Sequence, residues 1–488
     1  MSIVTYFGSR AAPILALALL AGCAVGPDFQ APQAALDGMQ LQPKEGQAHQ
    51  ALSADPVPRD WWRLLNDPVL DSLIARAWEG NLDVQAAALR VQQSRARSGI
   101  VMSSLFPRIG LDASVTRQAL SENGPMVALG SPTAATDLWQ AGFDASWEID
   151  IWGRLRRQRE QSLASLEASI YEERGVQVSL SAEIARQYLA LRGVQTRLAI
   201  ALQNQDIATH LVKLTQSRQK NGVATRFDVA SSLSQQASVD ALIPQLRDEQ
   251  NVLLNALALL VGEPPRSLDT QLEKTHVLPD AAVQLPVGLP SELALRRPDI
   301  QRAQANLHAA TAAIGVAKAD FYPRISLIGS FGTQAFERDD LGLWSSTNFA
   351  IGPTIHLPIF EGGRLTRTLE LTELKQKEAA VAYRQTVLQA WHEVDNAFNA
   401  LVAQQQRQTA LQRAMTESRE ALDAAESAYR AGATDYVTVL TAQRNLLASE
   451  LELSNATTGS AVAIVYLYKA LGGGWAPRAA TCPTPMSG

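Results

Sequence analysis

The stretch Pro107-Arg108-Ile109-Gly110-Leu111 recurs later in the chain as Pro323-Arg324-Ile325-Ser326-Leu327, displaced by 216 residues. Farther along, Gly153, Gly222 and Gly262 recur as Gly363, Gly432 and Gly472, displaced by 210 residues. Matches at a constant displacement indicate a tandem duplication. We assign the first copy to residues 69–262 and the second copy to residues 299–472. The change in displacement places six extra residues in a loop of the first copy, between Leu111 and Gly153.

Each copy begins with a predicted helical segment, Val69–Leu105 or Ile300–Phe321, which a proline ends. After it the hydrophobic period changes to two, over Ile109–Val115, Phe143–Ile149, Ile325–Phe331 and Phe349–Leu357. Such alternation predicts two strand hairpins, at residues 107–150 and 323–360. Alternation over about ten residues suits strands that cross an outer membrane between lipid and a watery lumen. A half-buried strand of a soluble sheet has the same pattern.

Each hairpin is followed by a very long helical segment. From Arg154 to Asn221 and from Arg364 to Ala431 there is no proline, which allows helices of about 68 residues and about 100 Å. Apolar residues in both segments follow the alternating spacing of coiled coils: Ile184, Tyr188 and Leu191, then Val387, Trp391, Val394, Phe398 and Leu401. Both segments end at a glycine turn, after which a second helix returns. Helices so far beyond the globular average suit a protein that spans a periplasm.

The number of strands predicts an assembly of several copies. In lipid every backbone polar group must be paired, so membrane strands close into a barrel. Two hairpins supply only four strands, whereas known barrels begin at about eight. We therefore expect several copies of the chain to share one barrel as a homo-oligomer. The strand count alone does not give the number of copies.

The amino terminus predicts export and a lipid anchor. The apolar run Ala11–Ala21 is about half as long as a membrane-spanning helix, so residues 1–22 are interpreted as a signal peptide. The run ends in Leu20-Ala21-Gly22-Cys23, which resembles the lipobox of bacterial lipoproteins. That resemblance implies that Cys23 becomes the lipidated first residue, and Ala24 after it favours the outer membrane. An ordinary secretory signal with an incidental cysteine is the alternative.

Composition argues against several classes of protein. The chain has 488 residues, of which 46% are apolar and 19% charged, which predicts a folded protein with a sizeable core. Its net charge of -5 and its lack of a basic cluster argue against nucleic acid as a partner. With only Cys23 and Cys482 and six scattered histidines, we expect neither a disulfide framework nor a metal site. No nucleotide-binding loop or nucleophile motif occurs, so we expect no enzyme activity and no cofactor besides the lipid on Cys23.

Longer motifs run through the mature chain: Gly22-Cys23-Ala24-Val25-Gly26-Pro27-Asp28, Ser146-Trp147-Glu148-Ile149-Asp150-Ile151-Trp152-Gly153-Arg154, Arg296-Arg297-Pro298-Asp299-Ile300 and Tyr468-Lys469-Ala470-Leu471-Gly472-Gly473-Gly474-Trp475. In these motifs the chain resembles the outer-membrane factors of tripartite efflux pumps, the OprM and NodT type of the TolC superfamily. The resemblance covers nearly all of the mature sequence. It is therefore specific enough to carry expectations about fold, partners and function.

The resemblance implies a TolC-like fold, in which a trimer shares a membrane β-barrel of twelve strands, four from each protomer, and a long α-helical coiled-coil barrel. An equatorial domain would come from the linker 263–298, with the segment 23–68 and the tail 473–488. The implied function is a passive channel, lipid-anchored in the outer membrane and extending into the periplasm, that exports drugs or other small toxic compounds. The implied partners are a periplasmic adaptor protein and an inner-membrane transporter of the RND class, which supplies the energy.

The same resemblance locates a periplasmic gate at the two helical turns, residues 221–229 and 429–441. Asp228 and Tyr429 match positions that link neighbouring coils in the closed channel, and Val437 matches an apolar constriction. Thr438 and Thr441 stand where relatives carry one or two aspartates that face the axis. We therefore expect a less cation-selective mouth and weak block by divalent cations. The alternative is that Asp228 caps the returning helix and Tyr429 packs within its own coil.

Two other functions fit part of the sequence. One is a TolC-like exit channel for type I secretion of polypeptides, which usually lacks the lipobox, so that Cys23 argues against it. The other is a periplasmic coiled-coil scaffold without a pore, in which the alternating strands form a soluble sheet. Location of the protein in the outer membrane distinguishes the channel from the scaffold.

Overall fold

The structure, a computed structural model, describes residues 24–32, 52–53, 56–131, 133–273, 285–286 and 296–475. The predicted signal peptide, Cys23 and most of the tail lie outside the described residues. The described residues divide into two compact units, one within the ranges 1–32, 91–169 and 303–383 and the other within the ranges 33–90, 170–302 and 384–488. None of the described helices combines the length and the apolar character that crossing a bilayer requires.

Helices account for most of the described residues. They are α1 Pro68–Gly80, α2 Leu82–Ser103, α3 Arg154–Lys220, α4 Arg226–Val261, α5 Pro298–Ala319, α6 Arg364–Arg430 and α7 Tyr436–Ala470, with single turns at Pro125–Ala128 and Asp269–Leu272. The strands are β1 Leu52–Ser53, β2 Arg108–Gln118, β3 Thr136–Ile149, β4 Leu285–Pro286, β5 Arg324–Ala335 and β6 Thr347–His356. The predicted long helices are α3 and α6, and each has 67 residues.

Four strands form one antiparallel sheet in the order β2-β3-β5-β6, with both predicted hairpins in place. Leu111, Phe143, Phe331 and Phe349 stand opposite one another in successive strands, so the alternating apolar residues share one face. This face is open in the single chain, where Phe349 is 77% exposed. The other face is mostly polar or small, with Leu138 and Ile328 as apolar exceptions. Among the described residues β2 and β6 each pair with one strand only, and they are the edges of the sheet.

The glycines that mark the duplication share an unusual backbone conformation. Gly153, Gly222 and Gly262 have φ angles of 79°, 73° and 84°, and Gly363, Gly432 and Gly472 have φ angles of 84°, 72° and 73°. Glycine adopts such left-handed angles without the steric cost that a Cβ imposes. At Gly222 and Gly432 this conformation ends the two long helices and lets the chain turn. The repeated glycines therefore reflect a repeated backbone path.

The segment before the first hairpin differs from the expectation of one continuous helix from Val69 to Leu105. The structure has two helices, α1 and α2, which are separated at Asn81. The Asn81 side chain accepts the backbone N–H groups of Asp83 and Val84, at 2.9 and 3.1 Å, and so caps the second helix. Its amide also donates to the carbonyl of Leu260 at 2.9 Å. A capping side chain thus interrupts a segment whose hydrophobic period does not change.

The second unit has an apolar core at the long helices. Ile184 and Tyr188 of α3 are fully buried and Val394 of α6 is 1% exposed, which confirms the predicted coiled-coil spacing. Trp61, which precedes α1, stacks on Tyr468 of α7 with ring centroids 5.3 Å apart. Aromatic pairs of this kind add to the stability that burial alone provides.

Two short strands in the same unit join distant parts of the chain. β1 pairs with β4 in parallel, with Leu52 opposite Leu285 and Ser53 opposite Pro286. The first strand lies in the segment 23–68 and the second in the linker 263–298. Both segments were predicted to contribute to the equatorial domain.

A buried polar cluster joins the chain before α1 to α3. Asp67 caps α1, because its Oδ1 accepts the N–H of Val69 at 2.9 Å, and its Oδ2 accepts the hydroxyl of Tyr188 at 2.5 Å. Burial and the hydrogen bond to Asp67 raise the pKa of Tyr188, so this hydroxyl remains a donor. The guanidinium of the fully buried Arg192 lies 4.8 Å from the centre of the Tyr188 ring. Asp67 therefore serves both a helix cap and a buried hydroxyl.

We expect Asp67→Ala to destabilise the second unit by about 2–4 kcal/mol. The substitution removes a helix cap, at about 1 kcal/mol, and leaves the buried Tyr188 hydroxyl without its acceptor, at about 1–3 kcal/mol. Denaturant unfolding followed by circular dichroism in detergent measures the loss. The matched control is Asp60→Ala in the same segment, which removes only a surface ion pair to Arg63 at 4.0 Å. Equal stability of the two variants would contradict the double role of Asp67.

Candidate gate at the helical turns

The first helical turn is closed by a reciprocal capping pair. Thr225 precedes α4, and its hydroxyl oxygen accepts the backbone N–H of Asp228 at 3.2 Å. In return, the Asp228 carboxylate accepts the backbone N–H of Thr225 at 2.7 Å and its hydroxyl at 2.8 Å. This arrangement is a capping box, which satisfies backbone donors that a helix start leaves free. Within the chain, the Asp228 carboxylate therefore makes its hydrogen bonds to the cap of its own helix.

The second turn contains the same pair with the two residues exchanged. Asp435 stands where the first copy has Thr225, and Thr438 stands where it has Asp228, both displaced by 210. The Asp435 carboxylate accepts the backbone N–H of Thr438 at 3.0 Å and its hydroxyl at 2.7 Å. Thr438 thus takes part in a helix cap. It also accepts the hydroxyl of Thr434 at 3.1 Å.

Asp435 is a charged residue of this turn that the sequence reasoning missed. The hydrogen bonds from the Thr438 side chain and backbone lower the pKa of Asp435, so its exposed carboxylate is ionised at neutral pH. The sequence contains the signal that would have found it, because an aspartate three residues after the turn glycine Gly432 and directly before an apolar helix is a typical N-cap. The turn keeps a carboxylate even though Thr438 and Thr441 are hydroxyls.

Tyr429 lies in a small cluster between the helices of the second turn. Its ring centre is 4.6 Å from the Arg218 guanidinium and 5.4 Å from the ring of Tyr436. The Tyr436 hydroxyl accepts a hydrogen bond from Ser232 of α4 at 3.3 Å. Burial raises the pKa of Tyr436. Tyr429 therefore takes part in contacts between the two turns of one chain, and a link to a neighbouring coil stays a prediction.

Val437, Thr438 and Thr441 lie on the open face at the start of α7. All three are exposed, whereas the interleaved Tyr436 and Val439 are buried. The Thr441 hydroxyl donates to the carbonyl of Val437 at 2.8 Å. An apolar residue on this face fits the predicted constriction.

The first turn offers an apolar side chain at the position equivalent to Val437. Phe227, displaced by 210 residues from Val437, is 64% exposed. The sequence reasoning did not select it, because the resemblance located an apolar constriction only in the second copy. The two turns together present Phe227 and Val437 beside the capping carboxylates Asp228 and Asp435.

Comparison with known proteins now identifies the family. The family model described as outer membrane efflux protein matches residues 73–263 and 289–473, one segment in each copy of the repeat. The chain belongs to the outer membrane efflux protein family. Efflux through an outer-membrane channel is therefore its function, as predicted.

Similar proteins of established name share nearly the whole chain. The pyoverdine export outer membrane protein OpmQ of Pseudomonas putida is 34% identical, over 90% of this chain and 93% of its own length. The toluene efflux pump outer membrane protein TtgI of Pseudomonas putida is 32% identical, over 96% of this chain and 98% of its own. Outer membrane protein OprJ of Pseudomonas aeruginosa is 32% identical, over 93% and 94%.

Solved structures confirm the predicted fold class. The outer-membrane channel OprN superposes with a TM-score of 0.86 at 33% identity, covering 93% of this chain and all of that one. The open state of the MtrE outer membrane channel of Neisseria gonorrhoeae superposes with a TM-score of 0.77 at 28% identity, covering 93% and 98%. The chain has the TolC-like fold of an outer-membrane channel. This fold contradicts the alternative prediction of a periplasmic scaffold without a pore.

We expect Asp228→Ala to raise single-channel conductance in planar bilayers if Asp228 links neighbouring coils. The matched control is Thr225→Ala, which disrupts the same capping box but leaves the carboxylate and its bond to the backbone N–H of residue 225. Loss of a cap costs each variant about 1 kcal/mol. A rise in Asp228→Ala alone supports the link. Unchanged conductance in Asp228→Ala would restrict its role to capping.

Proposed function

We propose that this efflux protein is a passive trimeric duct, anchored by lipid on Cys23, that joins a periplasmic adaptor and an inner-membrane RND transporter to the exterior. The observation that carries the proposal is the sheet of four strands, which has one apolar face and whose two edges pair with no further strand in the part of the chain that the structure describes. Such a sheet is complete in lipid only when other copies pair with both edges. Three copies would supply twelve strands and close the barrel.

The two faces of the sheet supply the two environments of a membrane duct. On one face the opposed rows are apolar, such as Ile149 opposite Ile325 and Phe143 opposite Phe331. On the other face Asp144 stands opposite Ser330. Lipid outside and water inside is the arrangement that satisfies both faces. Small compounds would pass along the polar face without a chemical step by the chain itself.

Substitutions on the two faces test the membrane channel. In a strain that lacks the gene, we expect wild type and Ser330→Lys to restore resistance to some members of a panel of drugs, dyes, metals and organic acids. We expect Phe331→Lys to fail, because a lysine on the lipid face near the midplane costs about 2–4 kcal/mol.

Oligomer content of the outer-membrane fraction, read as a heat-modifiable band, accompanies the resistance measurement. The neighbouring Ser330→Lys controls for the added charge itself. Normal assembly of both variants would contradict a lipid-facing Phe331. Unchanged sensitivity of the deletion strain to every compound would contradict small-molecule export.

Contacts of the residues that follow Cys23 support a lipid anchor close to the end of β3. The backbone N–H of Val25 donates to the carbonyl of Trp152 at 3.1 Å, immediately after β3. Arg157, at the start of α3, forms an ion pair with Asp28 at 2.5 Å. These contacts hold the chain after Cys23 near the end of β3. Lipid on Cys23 would therefore enter the bilayer next to the membrane-embedded sheet.

We expect Cys23→Ser to abolish incorporation of labelled fatty acid while the protein remains exported. The thiol is the acceptor of the lipid, and a hydroxyl does not replace it. Labelling in vivo with a radioactive fatty acid, followed by mass spectrometry of the amino-terminal peptide, measures the result. The matched control is Cys482→Ser, which should retain the label. A wild-type protein that carries no lipid would contradict the anchor.

The helical turns supply the gate and the end at which partners attach. Phe227 and Val437 are exposed apolar side chains, and Asp228 and Asp435 are the carboxylates beside them. In a trimer each of these would occur three times around the axis. Asp435 would retain part of the acidic character that Thr438 and Thr441 lack. Energy would come from the transporter, because the duct only opens and closes.

A further inference from the structure

The edges of the sheet raise the question of which residues face each other between copies. In the trimer proposed above, on which this inference rests, β6 of one copy pairs with β2 of the next. We call this contact the seam. Neither hairpin alone determines its register, because no other strand of the described residues pairs with the outer side of β2 or β6.

The duplication supplies the register of the seam. Displaced by 216 residues, β2 becomes β5, and displaced by 210, β3 becomes β6. The structure obeys these displacements, since Ile109 faces Ala145 in the first hairpin and their equivalents Ile325 and Ile355 face each other in the second. The seam is therefore the counterpart of the pairing of β3 with β5 inside the chain.

The pairing of β3 with β5 can be carried over residue by residue. Asp144 of β3 faces Ser330 of β5. Their equivalents are Thr354 of β6 and Ser114 of β2. We infer that Thr354 faces Ser114 of the neighbouring copy, which fixes the register of the whole seam. A head-to-tail contact of this kind closes into a ring when the rotation allows it.

This register brings two ionisable side chains together on the lumen side of the seam. Ser146 faces Ile328 inside the chain, and their equivalents are His356 and Asp112 of the neighbouring copy. Directly opposite side chains in antiparallel strands are close enough to hydrogen bond. From the other side Arg324 faces His356, and the Arg324 guanidinium is held by Asp320 at 2.6 Å. The seam thus gains a His–Asp pair that the pairing inside the chain lacks.

The His356–Asp112 pair gives the seam specificity. If β2 of a foreign copy displaced β5 from β3 in the equivalent register, Asp112 would face Ser146. If the open edge of β6 paired with a foreign β5 that had separated from its own β3, His356 would face Ile328. In both wrong pairings His356 and Asp112 no longer face each other. The seam is therefore favoured over these pairings, because only the seam forms the His–Asp pair. The pair therefore favours closure of the ring over mixed pairing of the two repeats.

The lumen-facing pairs between β3 and β5 are of the closely spaced type. A Cβ placed on Gly142 would lie 2.9 Å from the Cα of the opposed Gly332, which indicates close backbones at this pair. In antiparallel sheets closely and widely spaced pairs alternate, so every second residue belongs to the same type. Thr354 and Ser114 fall in the close set by equivalence. Cysteines at such positions are within disulfide reach.

Disulfide crosslinking tests the register. The background is the full-length protein with Cys482→Ser, which removes that thiol. The test variant adds Thr354→Cys and Ser114→Cys to this background. Two matched pairs combine Thr354→Cys with Asp112→Cys or with Thr116→Cys, which shift the register by two residues and keep the same face. Within one chain β2 and β6 are three strand spacings apart, about 14 Å, so any disulfide must join different copies. Mild oxidation in membranes is followed by non-reducing gel electrophoresis.

We expect the pair 354/114 to give covalent dimers and trimers at least about tenfold more efficiently than either shifted pair. Efficient crosslinking of a shifted pair would overturn the register while leaving the trimer intact. No crosslinking by any pair in a protein that still runs as a heat-modifiable trimer would overturn the pairing of β6 with β2. No crosslinking together with a monomer before heating would overturn the proposed function itself.

A double-mutant cycle tests the His356–Asp112 pair separately. We expect His356→Ala and Asp112→Ala each to lower the temperature at which the trimer dissociates in detergent. The double variant should lower it by less than the sum of the two single effects, because the second substitution removes a partner already lost. Strictly additive shifts would overturn the pair even if the crosslinks support the register.

Discussion

An unpaired backbone edge cannot remain in lipid, and this constraint governs the structure. The single chain builds a sheet with an apolar face, yet among the described residues β2 and β6 are each paired on one side only. Each unsatisfied backbone group in hydrocarbon costs several kcal/mol, so the sheet is stable only as part of a larger closed one. The protein is therefore best understood as one of several subunits of a duct, which number three in the trimer proposed above.

The duplication explains how one chain supplies so much of that duct. Each copy contributes one hairpin and one helix of 67 residues, and the glycines at equivalent bends have nearly equal φ angles. The two copies differ at the helical turns. At the turns the same capping pair occurs as Thr225 with Asp228 and as Asp435 with Thr438, so the carboxylate sits on opposite sides of the cap. The two turns at which we propose the gate are thus unlike, although the repeats that carry them are alike.

The sequence predicted the features that depend on periodicity or on backbone conformation. Alternation gave the four strands, coiled-coil spacing gave the buried positions such as Tyr188 and Val394, and glycine gave the turns. It did not predict the break at Asn81 or the bond from Tyr188 to Asp67, because single side-chain hydrogen bonds decide them. Asp435 was missed because the resemblance directed attention to the threonines that follow it. Links between Asp228 or Tyr429 and neighbouring coils depend on other copies of the chain and remain predictions.

The number of copies is the central claim, and a direct mass determines it. Native mass spectrometry of the protein extracted in mild detergent, with lipid and detergent removed in the gas phase, counts the chains in one particle. We expect one species of three mature chains. A stable, folded monomer or dimer as the only species would contradict it, because neither could close the open edges of β2 and β6.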